Sequence, residues 1–216
     1  MRKAIAFATL LAVSSGCAAQ DEFQNALALA REIISAELAG GQICKPVAIP
    51  AFQRTAMIQA LSRIDLPGLS DPTGLGPLDL AVISDDIPTV KRISALGYFL
   101  DAPESTLLHG AALHNSMQVL PFLLASGTSP DSVNSYGATS LMSAAASDRL
   151  EAASSLLAAG ASPNARNNNG GTALHYAIGC RNQEMTNLLL AAGAEIDPVA
   201  QALADKHKVV LTQHER

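Results

Sequence analysis

The chain contains no tryptophan, and aromatic residues make up only 4 % of its 216 residues. Charged residues are also scarce, at 15 %, whereas apolar residues make up 49 %. Much of that apolar share is alanine and leucine, which favours closely stacked helices over a β-sandwich, whose strands need more valine, tyrosine and phenylalanine. The formal net charge of −5 excludes the basic surface that is typical of nucleic-acid binders.

The sequence carries none of the short motifs that mark the common enzyme classes. It has no G-x-S-x-G nucleophile elbow, no Walker-type phosphate loop, no H-E-x-x-H zinc motif and no C-x-x-C pair. An enzyme would also need a pocket lined by several titratable side chains. We therefore expect a non-catalytic protein that has no catalytic residues, no cofactor and no bound metal.

Residues 1–19 have the order of a secretory signal peptide. Arg2 and Lys3 are followed by an uncharged, mainly apolar run at residues 4–13 and then by small residues. The apolar run is too short to cross a bilayer as a helix, and a buried N-terminal helix would not require this order. Removal of Arg2 and Lys3 takes the net charge from −5 to −7.

The signal segment has two candidate ends. Ordinary cleavage after Ala19 would use the small residues Cys17 and Ala19. Alternatively, Ser14-Ser15-Gly16-Cys17 resembles a bacterial lipobox, in which Cys17 becomes the lipidated first residue, although Ser14 stands where leucine is usual. Because Ala18 is not the aspartate associated with inner-membrane retention, this resemblance implies an outer-membrane lipoprotein. We expect a periplasmic protein in either case.

Segments of the sequence recur with a period of 33 residues. Residues 172–177, Thr-Ala-Leu-His-Tyr-Ala, align with residues 139–144 and with residues 106–111. Each segment is followed by a leucine pair and then by a glycine three residues further on. A fourth unit opens at Gly76-Pro77-Leu78, and its link to the next unit is three residues short. The leucine pairs and glycines are Leu123-Leu124 with Gly127, Leu156-Leu157 with Gly160, and Leu189-Leu190 with Gly193.

Each unit is built for a pair of stacked helices. A threonine hydroxyl before the first helix can satisfy a backbone N–H at its start. A leucine in the first turn and an alanine three residues later share one face, and the small alanine lets neighbouring helices approach closely. A bulkier side chain there would cost about 1–3 kcal/mol. These positions are Thr106, Thr139 and Thr172; Leu78, Leu108, Leu141 and Leu174; and Ala81, Ala111, Ala144 and Ala177.

These motifs resemble the ankyrin repeat, whose pattern is roughly G-x-T-P-L-H-x-A-A followed by a helix that ends in L-L-x-x-G-A. The resemblance covers about residues 71–197 and implies an all-α solenoid of four helix-turn-helix repeats. Neighbouring repeats stabilise one another because no single repeat buries its apolar face alone. The predicted repeats are residues 71–100, 101–130, 131–163 and 164–197.

The segments on either side of the repeats are predicted to be caps. Residues 20–70 form an N-terminal helical cap, with helices at 21–38 and 52–64. Residues 198–216 form a C-terminal capping helix that begins at Asp197-Pro198, because aspartate is a good N-cap and proline suits the first helical position. Such caps keep a repeat array soluble.

His109 and His175 fall at the same position of two repeats. The resemblance implies a structural hydrogen bond near the start of each first helix, and the alternative is a metal or catalytic pair. Because Asp79 and Met142 hold that position in the other two repeats, we favour the structural bond.

Cys44 and Cys180 would remain in the mature chain whichever end the signal has. In an oxidising compartment they can pair, but the solenoid separates its two ends and bridged Cα atoms lie within about 7 Å of each other. The sequence leaves both outcomes open, a disulfide or two free thiols.

By resemblance, the family binds partner proteins with its hairpin tips and with the exposed ends of its first helices, on the concave side. Tyr136 is the best anchor, because an exposed aromatic side chain supplies a large contact area at little entropic cost. The candidate tip residues are Ser105, Ser135, Tyr136, Asn168 and Asn169, and the candidate helix-end residues are Ser84, His114, Ser147 and Cys180.

The sequence therefore predicts a monomeric, non-catalytic protein-binding module that is exported to the bacterial cell envelope. The partner is a protein and not a nucleic acid, and the only membrane contact expected is the lipid anchor at Cys17. The alternative is an immunity protein that inhibits a periplasmic toxin or enzyme, since an acidic mature chain would suit a basic toxin.

Overall fold

The computed structural model describes residues 21–31, 49–62, 76–95 and 107–211. These residues form eleven helices, and their extended backbone pairs at a single isolated bridge between Val133 and Thr139. The predicted all-α class is confirmed. The predicted signal segment, Cys17, Cys44 and Ser105 lie outside the described residues.

The helices follow the order that the repeats predict. The described part of α1 is residues 21–31, and α2 is Ala51–Ser62. The four units then contribute one pair of helices each, and α11, Pro198–His207, closes the described chain. The pairs are α3 Pro77–Ser84 with α4 Ile87–Ala95, α5 Leu107–Leu113 with α6 Val119–Ala125, α7 Ser140–Ala146 with α8 Leu150–Ala158, and α9 Ala173–Gly179 with α10 Gln183–Ala191.

The first helices of the units lie side by side. Helix α3 contacts α5, α5 contacts α7, and α7 contacts α9, while α2 packs on α3 at one end and α11 packs on α9 at the other. Helix α11 therefore occupies the place of the first helix of a fifth unit. Its N-cap Asp197 accepts a hydrogen bond from the N–H of Ala200 at 2.8 Å.

Small residues make this close stacking possible. The repeated alanines are fully buried, as are Leu108, Leu141 and Leu174, whereas Leu78 is only partly buried and Leu80 is buried in its unit. Since interiors are close-packed, a larger side chain at any of these alanines would push two first helices apart. The alanines are Ala81, Ala111, Ala144 and Ala177.

The turn after each first helix contains a residue with a positive φ angle, between 53° and 59°. Aspartate and asparagine tolerate this left-handed conformation better than most residues. Their side chains also join adjacent units here. The turn residues are Asp85, Asn115, Asp148, Arg181 and, after α11, Lys208.

Three of these turn residues are bonded to the following unit. Asp85 Oδ1 accepts from the N–H groups of Gln118 and Val119, both at 3.0 Å, and so caps the start of α6. Asn115 Nδ2 donates to Glu151 Oε2 at 2.9 Å. Asp148 Oδ1 accepts from the Asn182 side-chain amide. We call these contacts the turn ladder.

The segment before the first helix of each of the last two units forms a finger, residues 133–139 and 166–172. In the first finger, Asn134 Oδ1 accepts from the N–H groups of Tyr136 and Ala138. In the second finger, Asn167 Oδ1 accepts from Asn169 and Gly171 in the same way. Residues 134–138 and 167–171 therefore form the same type of turn.

Gly137 lies where the two fingers touch, and this contact can be tested. Its φ is +70°, and an added Cβ would overlap the Asn168 side chain and lie 3.0 Å from the Asn168 backbone nitrogen. Gly137→Ala should therefore lower the free energy of unfolding by about 2–4 kcal/mol, because backbone strain adds to steric overlap. Urea denaturation of the purified protein measures this loss.

Gly170→Ala is the matched control. Gly170 holds the same turn position with φ +76°, but an added Cβ would meet nothing within 4 Å. It should lose only the strain contribution, about 1–2 kcal/mol. Equal losses for the two variants would show that the contact between the fingers adds no stability.

Candidate partner-binding surface

The exposed residues of the two fingers form a continuous strip, which we call the finger edge. Tyr136 is 75 % exposed and Val133 is 48 % exposed, and the other members are polar. An exposed tyrosine beside an exposed valine is the type of apolar centre that protein interfaces bury. The finger edge consists of Val133, Ser135, Tyr136, Asn168 and Asn169.

The backbone around Tyr136 is held on both sides. Its N–H donates to Asn134 Oδ1 at 3.0 Å, and its carbonyl oxygen accepts from the N–H of Asn168 at 3.1 Å. The Asn168 side-chain amide donates to the Ser135 carbonyl oxygen at 3.3 Å. Because the backbone is fixed, binding would order little more than the Tyr136 side chain itself, which limits the entropic cost.

Val133 belongs to this surface but was missed by the sequence analysis. It precedes the turn and forms the isolated bridge with Thr139, and its side chain is exposed to solvent. The aligned position in the next finger is Arg166, which is charged. The sequence offered one sign of this exposure, because Val133 is apolar at a position where the next unit has the charged Arg166.

Arg166 is largely occupied by contacts within the protein. Its guanidinium donates to the Gly170 carbonyl oxygen at 2.9 Å and to Asp197 Oδ2 at 3.0 Å. Asp197 also bonds His175, since Nε2 of His175 lies 2.9 Å from Asp197 Oδ1. The pKa of Asp197 is lowered to about 2. The hydrogen bond from the Ala200 N–H lowers it most, and desolvation raises it in part. The hydrogen bonds from Arg166 and His175 lower it further.

The helix-end positions that were predicted to contact a partner have a different environment. Ser84, His114 and Ser147 are 3 %, 4 % and 4 % exposed, and Cys180 is half-buried. The Ser84 hydroxyl donates to the Leu80 carbonyl oxygen at 2.7 Å, which is a bond within its own helix. The structure therefore places Ser84, His114 and Ser147 in the interior and not on the surface for which they were predicted, because the resemblance supplied their position in the repeat but not their surroundings.

His114 has the most perturbed histidine environment described. Burial lowers its pKa most, and the positive charges of Arg149 and Arg54 lower it further, to about 4. Arg149 is fixed by a 2.8 Å bond from Nε to the Leu113 carbonyl oxygen. His114 is therefore neutral at neutral pH.

His109 and His175 both make structural hydrogen bonds. His109 Nε2 lies 2.7 Å from the Ala138 carbonyl oxygen and donates to it, which joins the second unit to the third. In the last unit, His175 Nδ1 accepts from the Thr172 N–H at 3.0 Å, so Nε2 carries the proton that is donated to Asp197. Burial lowers the pKa of His109, and its bond to Ala138 partly offsets that shift.

Asp79 takes over part of the histidine role in the first unit. Its Oδ2 accepts from the Gly76 N–H at 2.8 Å, just as His175 accepts from Thr172. In the third unit, which has methionine at this position, the N–H of Met142 donates to the hydroxyl oxygen of Thr139 at 3.4 Å.

Cys180 is disulfide-bonded. The chain has two other cysteines, Cys17 and Cys44, and both lie outside the described residues. Of the two outcomes that the sequence left open for Cys180, the structure has the disulfide.

The described ranges contain no cluster of three or more histidine, cysteine, aspartate or glutamate side chains arranged to hold a metal ion. They also contain no helix with the length and apolarity needed to cross a bilayer.

Comparison with known proteins points to one family. A family model of ankyrin repeats, in three copies, matches residues 78–167 and 108–200, which together make up more than half of the chain. Curated proteins gave no match.

The environment of His114 predicts an acid-sensitive fold. Its pKa falls from 6.5 to about 4 on folding, so the unfolded chain binds a proton that the folded chain does not. The associated stability is fully present above pH 6.5 and is lost as the pH falls towards 4, by at most about 3 kcal/mol. Urea midpoints measured across this range follow the loss.

His114→Gln should flatten most of that pH dependence, because glutamine does not titrate. A remaining slope is expected from His109, whose pKa is also lowered. If His114→Gln kept the full slope of the unaltered protein, His114 would not be its source.

Proposed function

Because the chain belongs to the ankyrin repeat family, we propose that it is a non-catalytic protein-binding module, exported to the bacterial cell envelope, which binds its partner protein through the finger edge. Ankyrin repeats typically act as non-catalytic binding modules. Function must still be argued from the surface of this chain, since one fold supports many roles.

The observation that carries the proposal is the exposure of Tyr136 and Val133 on a fixed finger. Both side chains are large, apolar and solvent-facing, at 75 % and 48 % exposure. A rigid aromatic anchor surrounded by polar groups is the usual centre of a modest interface. Ser135, Asn168 and Asn169 would form its rim, where water-mediated hydrogen bonds are common.

Export is supported by the sequence of residues 1–19, which lie outside the described residues. The disulfide at Cys180 agrees with an oxidising compartment such as the periplasm. We propose that the protein is periplasmic and that acylated Cys17 anchors it to the outer membrane.

An immunity protein that inhibits a periplasmic toxin or enzyme is the second candidate. Its support is the acidic charge of the mature chain, −7 after removal of Arg2 and Lys3. Opposite charges on two partners speed their encounter and make it sensitive to salt. A basic toxin or enzyme recovered as the partner, with inhibition of its activity, would favour this candidate.

Substitution of the two apolar residues tests the finger edge. Tyr136→Ala with Val133→Ala should reduce partner capture from an envelope extract about 30-fold or more, as expected for loss of an interface hot spot of about 2 kcal/mol. The melting temperature should change little, because both side chains are exposed. Quantitative mass spectrometry of the captured proteins measures the effect.

Phe52→Ala is the matched control for this experiment. Phe52 is an exposed aromatic residue in α2, at 67 % exposure, and lies outside the finger edge. Its removal should leave capture unchanged. Undiminished capture by the Tyr136 and Val133 variant, or an equal loss with Phe52→Ala, would argue against the finger edge as the binding surface.

The first residue of the mature protein distinguishes a lipid-anchored protein from one released by ordinary signal cleavage. We expect intact mass analysis of membrane-associated protein to give a chain that begins at an acylated Cys17. Cys17→Ser should then release the protein into the soluble periplasmic fraction, because the lipid chains are lost. An unmodified chain that begins at Gln20 would show ordinary cleavage and no anchor.

A further inference from the structure

The array of fingers ends before the array of helices does. Residues 126–139 and 159–172, which each link a second helix to the next first helix, both contain a finger, whereas residues 192–197 lead directly from α10 to α11. Helix α11 therefore covers α9, but no finger follows in residues 192–211, all of which the structure describes. One side of the last finger, residues 166–172, is thus left without a neighbouring finger.

The contact between the two fingers shows what fits against such a side. Asn168 lies against the first finger, where its N–H donates to the Tyr136 carbonyl oxygen at 3.1 Å and its side-chain amide donates to the Ser135 carbonyl oxygen at 3.3 Å. It also lies so close to Gly137 that a Cβ there would overlap it. One asparagine thus supplies two donors to two adjacent carbonyl oxygens, next to a glycine whose missing side chain makes room for it.

The last finger has the same groups on its other side. At the repeat period, Asn168 and Asn169 supply the two carbonyl oxygens and Gly170 supplies the glycine. Within the part of the chain that the structure describes, no hydrogen bond reaches either of these carbonyl oxygens. Gly170 has φ +76°, close to the +70° of Gly137, and an added Cβ would meet nothing within 4 Å. We call the surface formed by Asn168, Asn169 and Gly170 the open finger side.

The charges near the open finger side favour an uncharged donor. The guanidinium of Arg166 donates to the Gly170 carbonyl oxygen at 2.9 Å and to Asp197 Oδ2 at 3.0 Å. Because these two charges offset each other, they give a charged group of a partner little advantage here. The two carbonyl oxygens accept hydrogen bonds only, so the complementary group is a neutral donor such as an amide.

We propose that the partner protein of the finger edge places an asparagine of an exposed turn against the open finger side. The backbone N–H of this asparagine donates to the Asn169 carbonyl oxygen and its side-chain amide donates to the Asn168 carbonyl oxygen, as Asn168 itself does to the first finger. This inference rests on the proposed function, because it names the chemical group by which the partner of the finger edge is recognised. The partner thereby extends the array of fingers by one turn, while Tyr136 and Val133 provide the apolar contact.

A peptide probe tests this chemistry without the natural partner. The probe carries residues 166–172 of this chain, closed into a ring by a disulfide between cysteines added at its two ends, so it presents the turn that already contacts the first finger. In the ¹⁵N-labelled mature protein, millimolar peptide should shift the amide signals of Asn169 and Gly170, which follow the two carbonyl groups, and leave those of α2 unchanged.

The control peptide has aspartate in place of the middle asparagine of the probe. It should bind less than about one tenth as well, because it lacks the amide donor and brings a carboxylate to a carbonyl oxygen. Absence of shifts with the asparagine peptide, or equal binding of both peptides, would overturn the proposal. Shifts of the same signals when the protein alone is concentrated would identify a second copy of this chain as the occupant, and would also overturn it.

Gly170→Ala should block the open finger side in the folded protein. Its Cβ projects into the space that the partner's asparagine needs, just as a Cβ at Gly137 would overlap Asn168. Peptide binding and partner capture should each fall about tenfold, as expected for the loss of two neutral hydrogen bonds.

Gly160→Ala is the matched control for this variant. Gly160 follows α8, lies outside both fingers, has φ +90° and also has nothing within 4 Å of an added Cβ. It therefore carries a similar backbone strain but should bind normally. Equal losses of binding for the two variants would assign the effect to stability and would argue against the open finger side.

The finger edge and the open finger side can fail separately in these experiments. Tyr136→Ala with Val133→Ala leaves Asn169 and Gly170 unchanged, so this variant should still bind the peptide even though it loses the partner. If it keeps the partner, the finger-edge proposal is wrong, while peptide shifts still support the open finger side. If Gly170→Ala captures the partner as well as Gly160→Ala does, the partner does not use the open finger side and the present proposal is wrong.

Discussion

The structure depends on the contact of each first helix with the next one. Fully buried alanines at Ala81, Ala111, Ala144 and Ala177 let these helices approach closely enough for leucines to fill the remaining space. No unit of this kind has a sufficient core of its own, so each obtains its stability from its neighbours. The two ends need partners as well, and α2 and α11 supply them. The finger edge is a consequence of this stacking, because it places the fingers next to each other.

Hydrogen bonds between units then fix the position of each unit relative to the next, which apolar packing alone does not determine. Within the described residues, bonds such as His109 to Ala138 and Asp85 to the start of α6 cross from one unit to the next. Alanine and leucine contacts tolerate sliding, whereas a hydrogen bond requires a set distance and direction. The register of the fingers, and with it the presentation of Tyr136, therefore rests on these polar contacts more than on the core.

Much of the fold follows from sequence, and the site follows only in part. The period of 33, the helix pairs and the Asp197-Pro198 start of α11 could be recognised because they depend on residues close together in the chain. The exposure of Tyr136 was predicted correctly for a similar reason, since it lies in a short turn between Asn134 and Gly137. Burial of His114 and Ser147 could not be predicted, because it depends on what packs across the helix ends from distant parts of the chain. The bond from the Gly76 N–H to Asp79 is not apparent from the sequence, because the histidines of the other units do not predict that a carboxylate can take their place.

The turn ladder has a consequence for the order of the units along the chain. Its contacts pair chemically different groups, so the units are not interchangeable even though their helices are alike. Asp85 accepts backbone N–H groups, which every residue except proline offers, so after excision of the second unit it could cap the start of α8 as it now caps the start of α6. Excision of the third would bring Asn115 opposite Glu184, which is aligned with Glu151, and the amide would again meet a carboxylate. The turn ladder thus restricts which units can follow one another, because Asn115 needs a carboxylate at the start of the next second helix, whereas Asp85 needs only backbone N–H groups.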